Sequence, residues 1–206
     1  MTQTKNLPIG VFDSGLGGIS VLRELMALMP EEHYLYFGDS ANAPYGTRTT
    51  EEVRVLSLNA AAMLYERGIK ALVVACNTAT AAAITQLRQA YPELIVIGVE
   101  PALKVAAEKF PGGKGGIMAT PLTLAGEKFQ NLLSRFSDSC QVSLIPAPGL
   151  ADLVEAGKQN WKALLADFYK GFHQEMLDAE ELMSDPEMKE LCQETFAAAK
   201  AAKEEL

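Results

Sequence analysis

Cysteine is scarce in these 206 residues: only Cys76, Cys140 and Cys192 occur. A sparse, odd-numbered set argues against a disulfide framework and for a reducing cytoplasm. No run of about 18 apolar residues is present, so no membrane span is expected. The opening Met1-Thr-Gln-Thr-Lys-Asn-Leu-Pro8 lacks the apolar stretch of a signal peptide. Cations are also short, 18 Lys and Arg against 26 Asp and Glu, for a formal charge of −8. Phosphate backbones are held by clustered Lys and Arg, so no nucleic-acid partner is expected. What remains is ordinary for a soluble globular protein, with 49% hydrophobic and 21% charged residues. The length allows one large domain or two small ones with a buried core, acting on something small.

Apolar runs alternate with helical patterns from residue 8 to about 157. The runs Ile9–Phe12, Tyr34–Phe37, Ala71–Ala75, Leu94–Val99, Gly116–Ala119 and Val142–Ile145 read as strands. Ile19, Leu22, Leu25, Met26 and Met29 repeat at helical spacing until Pro30. Thr49 and Glu52 form a capping-box pattern that opens a helix ending near Gly68. Strands alternating with helices predict an α/β fold with a mainly parallel sheet and right-handed crossovers.

A second scarcity begins after Gly157. Residues 158–206 contain no Val, no Ile and a single Gly, Gly171. Trp161, Leu165, Phe168, Phe172, Met176, Ala179 and Met183 make one helical stripe. Asp185-Pro186 reads as a stop and restart, an N-cap followed by proline in the first turn. Six Lys against eleven Asp and Glu put −5 of the total charge in this segment. The expectation is a C-terminal helical hairpin.

Two strand ends carry chemistry. Ile9-Gly-Val-Phe-Asp13-Ser14-Gly15-Leu-Gly17-Gly18 delivers a carboxylate to a glycine-rich strand-to-helix turn. That turn reads either as an anion cradle at a helix N-terminus or as a tight turn capped by its own Asp. It is not a dinucleotide fingerprint, which would need glycine at Ser20. Leu72-Val-Val-Ala-Cys76-Asn77-Thr78 delivers a thiol to the carboxyl edge of the sheet, where open α/β folds keep their chemistry. A buried cysteine behaves as a small hydrophobe; one at a helix N-terminus is expected to favour thiolate. Asn77 and Thr78 read as carboxylate ligands or as helix caps. Asp39-Ser40 and Pro44-Tyr45-Gly46 follow another strand end and are weaker signals, since such residues make turns anyway.

Taken together and in order, Asp13-Ser14-Gly15-x-Gly17-Gly18, Gly38-Asp39, Pro44-Tyr45-Gly46 and Ala75-Cys76-Asn77-Thr78-Ala79-Thr80 resemble glutamate racemases of the aspartate/glutamate racemase superfamily. Ala119-Thr120-Pro-Leu-Thr123 resembles the threonine-bearing strand end of that family's second domain, and Leu153-Val154-Glu155-x-Gly157 its Val-Glu segment. The resemblance runs from about residue 8 to 158. It implies a flavodoxin-like first domain over 1–98 and a partial second α/β domain over 99–157, with the helical hairpin over 158–206. It further implies racemisation of glutamate for peptidoglycan synthesis, without cofactor or metal. Cys76 would be the acid/base on the D-enantiomer's face, assisted by Asp13 and Ser14. Tyr45, Gly46, Asn77, Thr78 and Thr120 would bind the substrate's carboxylates and amino group. Inversion by proton transfer needs a base on each face of the α-carbon. A thiol of ordinary pKa about 8.5 serves in both protonation states if its surroundings lower it modestly.

The family's second thiol lies in a Gly-Cys-Thr-His motif, which these 206 residues do not contain. Cys192 sits in Glu190-Leu-Cys-Gln-Glu within the polar tail and is read as a helix-surface thiol; Cys140 precedes a strand and is read as structural. His33 and His173 offer no substitute base, and Ala147 stands where many relatives carry cysteine. The tail from Tyr169 to Leu191, with Asp185-Pro186-Glu187-Met188, is similar to the N-terminal helical domain of class I peptide chain release factors. Racemase residues joined near 158 to an unrelated hairpin would leave a sheet edge and apolar surface uncovered, favouring self-association. The alternatives are a non-catalytic carboxylate-binding remnant or fusion product, or an aspartate or hydantoin racemase.

Overall fold

The computed structural model describes residues 6–155, with positions 110 and 138 excepted. The helical hairpin expected over 158–206, with Cys192, His173 and the release-factor-like stretch, lies outside the described residues. The chain divides into two compact units between Glu100 and Pro101.

The first unit holds four parallel strands, β1 (Ile9–Asp13), β2 (Tyr34–Gly38), β3 (Ala71–Val74) and β4 (Ile95–Gly98), in the spatial order β2-β1-β3-β4. Three helices connect them: α1 (Gly18–Leu28), α2 (Thr50–Glu66) and α3 (Asn77–Ala90). All five residues of β1 are buried, as a parallel strand covered on both faces requires. On one face Ile9, Val11, Val73 and Ala75 pack under Val21, Leu22 and Leu25 of α1. Leu22 and Leu25 belong to the helical repeat read from the sequence, and Val21 joins them. On the other face Phe12 stacks on Phe37 with ring centroids 6.3 Å apart, and Leu72 and Val74 are fully buried. The capping box at α2 forms as expected: Thr49 Oγ1 accepts from the Glu52 amide, and the Glu52 carboxylate accepts from the Thr49 amide. Arg54 Nε then donates to the Ala82 carbonyl at 3.3 Å, tying α2 to α3.

Strand β4 is an edge. Ile95 and Ile97, in register with Ala71 and Val73, are exposed, 64% and 51% respectively. The apolar face of the sheet therefore continues onto β4 without full cover.

The second unit contains α4 (Leu103–Lys109), β5 (Lys114–Ala119), α5 (Pro121–Ala125), α6 (Glu127–Phe136), β6 (Gln141–Pro146) and α7 (Leu150–Glu155). Strands β5 and β6 pair in parallel. The buried residues Leu103, Leu124 and Phe129 gather Leu132, Leu133 and Phe136 from α6, the three-and-four spacing of an amphipathic helix. Cys140 lies at the amino end of β6, its Sγ 3.8 Å from the Phe136 carbonyl. All six strands expected from the sequence are present, each within a residue or two of its expected ends.

Candidate active site

Strand order reverses between β1 and β3: the chain passes from β1 outward to β2, then returns to build β3 and β4 on the opposite side. A crevice opens at such a reversal outside the carboxyl ends of the two strands, the usual ligand site of an open α/β sheet. Asp13 is the last residue of β1, and Cys76 lies two residues beyond the end of β3. The topology thus brings together a carboxylate and a thiol 63 positions apart.

Cys76 is buried and has extended backbone geometry (φ −91°, ψ 120°) as the N-cap of α3. Its Sγ accepts the Ala79 amide at 3.3 Å, so the thiol itself caps the helix rather than Asn77 or Thr78. Ser14 Oγ lies 3.3 Å from the same sulfur. The expectation that the helix N-terminus favours thiolate is not met. Burial first, and the charge of Asp13 second, push the thiol above its ordinary value. The Ser14 hydroxyl and the amides of Ala79 and Ser14 act in the opposite sense without prevailing. In a low-dielectric setting a few hydrogen bonds do not replace the lost hydration of a thiolate, and a neighbouring carboxylate opposes a second negative charge.

Asp13 is equally buried. Its Oδ2 accepts the Gly15 amide at 2.9 Å, and the Gly18 and Ser14 amides also donate to the carboxylate. The glycine-rich turn is therefore a cradle occupied by its own side chain, which unites the two readings of the motif. Burial raises the Asp13 carboxyl despite those donors. Two glycines make the geometry possible. A Cβ on Gly18 would stand 2.5 Å from Asp13 Cβ and 3.1 Å from Ala75 Cβ. A Cβ on Gly38 would stand 2.5 Å from the Gly15 carbonyl oxygen, which also accepts the Tyr36 hydroxyl at 2.9 Å.

Tyr45 opens a short 3-10 turn over Tyr45–Thr47 and is almost fully buried. Its ring lies 6.2 Å from that of Phe12, and its hydroxyl donates to Asp39 Oδ2 at 2.8 Å. Burial, then the Asp39 hydrogen bond and charge, push its phenol upward, with a smaller contribution from nearby Cys76. Asn42 Nδ2 donates to both oxygens of the same carboxylate, at 2.9 and 3.1 Å. In the sequence Asp39 stands after a strand and in the Gly38-Asp39 pair of the family resemblance, with no role attached; the signal available is the pair of possible donors, Asn42 and Tyr45, three and six positions on. Tyr36, whose hydroxyl braces the Asp13 turn, was not singled out at all.

Gly46 follows Tyr45 in the same turn. Asn77 is exposed at the first position of α3, and Thr78 beside it is buried. Thr120 belongs to the second unit, where it follows β5 and caps α5. Its Oγ1 accepts the Thr123 amide at 3.2 Å and lies 2.9 Å from Thr123 Oγ1. Among the described residues no group of three or more His, Cys, Asp or Glu could hold a metal ion.

Comparison with known proteins gives this constellation a family. The sequence model of the Asp/Glu/Hydantoin racemase family matches residues 10–180. The chain belongs to that family. A glutamate racemase of Clostridium botulinum is 55% identical over 150 residues, covering 73% of this chain and 58% of its own length. One from Clostridium perfringens is 51% identical over 153 residues, covering 74% and 59%. This racemase-family chain thus spans less than two thirds of the curated relatives it matches. Among solved structures, a glutamate racemase isoform of Bacillus anthracis superimposes with a TM-score of 0.70 at 34% identity, over 88% of this chain and 65% of that one. The Escherichia coli glutamate racemase, in complex with L-glutamate and an activator, does so with a TM-score of 0.62 at 34% identity, over 73% and 57%. The fold of the racemase family is the α/β, parallel-sheet fold expected here.

Proposed function

We propose that this chain is a glutamate racemase-type protein, a cofactor-independent cytoplasmic isomerase that contributes D-glutamate to peptidoglycan synthesis. Cys76 takes and returns the α-proton on the face offered by D-glutamate. The C–H bond breaks, its electron pair remains on the α-carbon, and the proton joins the sulfur; the reverse step returns it. Asp13 and Ser14 assist the thiol, and Tyr45, Gly46, Asn77 and Thr78 hold the substrate's charged groups.

The observation that carries this reading is the contact of 3.3 Å between Ser14 Oγ and Cys76 Sγ beside the buried Asp13. A thiol raised by burial and by Asp13 needs help to ionise. An amino-acid substrate brings an ammonium, and that charge near Asp13 offsets the carboxylate's repulsion of a thiolate. Amide and hydroxyl donors already aimed at the sulfur then stabilise the ion.

The same raised thiol favours a second reading, a carboxylate-binding protein without turnover. Proton NMR in deuterated water with D- and L-glutamate, followed alongside optical rotation, separates the two. Exchange of the α-proton of D-glutamate without inversion, abolished in Cys76→Ser, is expected from a single working thiol. Exchange with inversion would reveal a second base. Binding without exchange, lost in Asn77→Ala, would establish the second reading, and exchange of aspartate in preference to glutamate would move the substrate assignment.

A further inference from the structure

Asp39 is a buried carboxylate with no part in the proton transfer just proposed. It stands one residue past β2, and its amide donates to the Asp13 carbonyl at 2.9 Å, extending the β1–β2 ladder by one rung. Its side chain accepts Tyr45 Oη at 2.8 Å and Asn42 Nδ2 at 2.9 and 3.1 Å. Its carbonyl accepts the amides of Asn42 and Ala43 at 3.0 and 3.1 Å. Arg48 Nε closes the far side of the loop on the Asn42 carbonyl at 2.9 Å. The segment from 39 to 48 is thereby hung on a single aspartate whose backbone is anchored to the residue beside the thiol.

We infer that Asp39 is the positioning residue for the Tyr45-Gly46 turn: its carboxylate holds the Tyr45 hydroxyl and so fixes the turn's backbone beside Cys76. A consequence follows for Tyr45. Its one hydroxyl proton is committed to Asp39, so the side chain anchors the turn, and its backbone and that of Gly46 are what the turn presents to a ligand. Burial makes this arrangement stiff, since a buried donor or acceptor stripped of its partner is costly. The inference deepens the proposed function and rests on it for the identity of the ligand.

The test uses the full chain with Asp39→Asn, Tyr45→Phe and the double variant, read in two ways. For D-glutamate exchange, both single variants should raise KM about tenfold with kcat little changed, and the double variant should be no worse than the worse single, because Tyr45→Phe removes only the bond to Asp39 that Asp39→Asn already disturbs along with those from Asn42. For the turn itself, the Tyr45 and Gly46 amides should exchange with deuterated water several-fold faster in each variant, with the amides of β1 and β3 unaffected. Additive losses in the double variant, or a fall in kcat alone, would overturn the inference. Unchanged amide protection at 45 and 46 would overturn it even in a chain that showed no exchange of glutamate. Absence of exchange in the unmodified chain, with the amide effects present, would instead remove the racemase-type reading and leave the Asp39 anchor standing.

Discussion

Ser14 Oγ and Cys76 Sγ, 62 positions apart in the chain, lie 3.3 Å from each other. Ser14 belongs to the turn that wraps Asp13, and Cys76 belongs to the cap of α3. The contact therefore joins the two strand ends at the point where the sheet order reverses, and it couples the thiol to the carboxylate's own surroundings.

The alkylation of Cys76 reads that coupling. The rate with iodoacetamide should climb with pH through an inflection above that of an ordinary thiol. In Asp13→Asn the inflection should fall, because one opposing charge is gone, yet stay above that of a free thiol, because burial is the larger cause. Ser14→Ala should move it the other way. An inflection indifferent to Asp13 would mean that the two groups do not sense each other.

Asp13 also sets a sign for stability against pH. Its native carboxyl is raised above 3.8, so between that pH and the native value the folded chain holds a proton that the unfolded chain has released. Stability contributed by this group is complete in acid and declines as pH rises through that interval. Urea denaturation across the acid range should show a smaller decline in Asp13→Asn than in the unmodified chain. Identical pH dependence in the two would contradict the raised carboxyl.

Gly18→Ala tests the close approach of turn and strand. The added methyl meets Asp13 Cβ and Ala75 Cβ, neither of which can swing away as a flexible side-chain end could. Overpacking of this kind costs about 1–3 kcal/mol, and the displaced carboxylate should also slow D-glutamate exchange. Gly17→Ala is the control, since a methyl there meets only Asp13 Oδ2 at 3.8 Å. Thermal denaturation of the two variants should separate them clearly.

Thr49→Ala removes one half of the capping box on α2. The loss expected is about 1 kcal/mol in chemical denaturation. Cys76 alkylation should keep its profile, because the Thr49–Glu52 hydrogen bonds of the cap are separate from those made by Cys76, Ser14 and Asp13. Thr49→Ser should restore most of the stability.

Much of this was legible in the chain itself. Strands buried on both faces read as unbroken apolar runs, so β1 and β3 announced themselves, and the alternation with helical repeats fixed their parallel sense. Thr49 and Glu52 signalled α2 because a capping box is a local device. The ionisation of Cys76 was not legible, because it depends on burial and on Asp13, which arrive from elsewhere in the sequence. The role of Asp39 stayed hidden for the same reason as that of Tyr36: a hydrogen bond closed by a loop or across a sheet leaves no periodic trace. The motifs locate the groups, and only their packing determines which of them oppose each other.

The occupied cradle has one more consequence. At the corresponding place in many nucleotide-binding folds, a glycine-rich turn offers its amides to a phosphate. Here the amides of Gly15, Gly18 and Ser14 are engaged by a carboxylate tethered a few bonds away. An incoming phosphoryl group would compete with a resident held at a high effective concentration and would meet its negative charge as well. The turn's amides are thus already engaged, and millimolar phosphate should leave the alkylation of Cys76 unchanged.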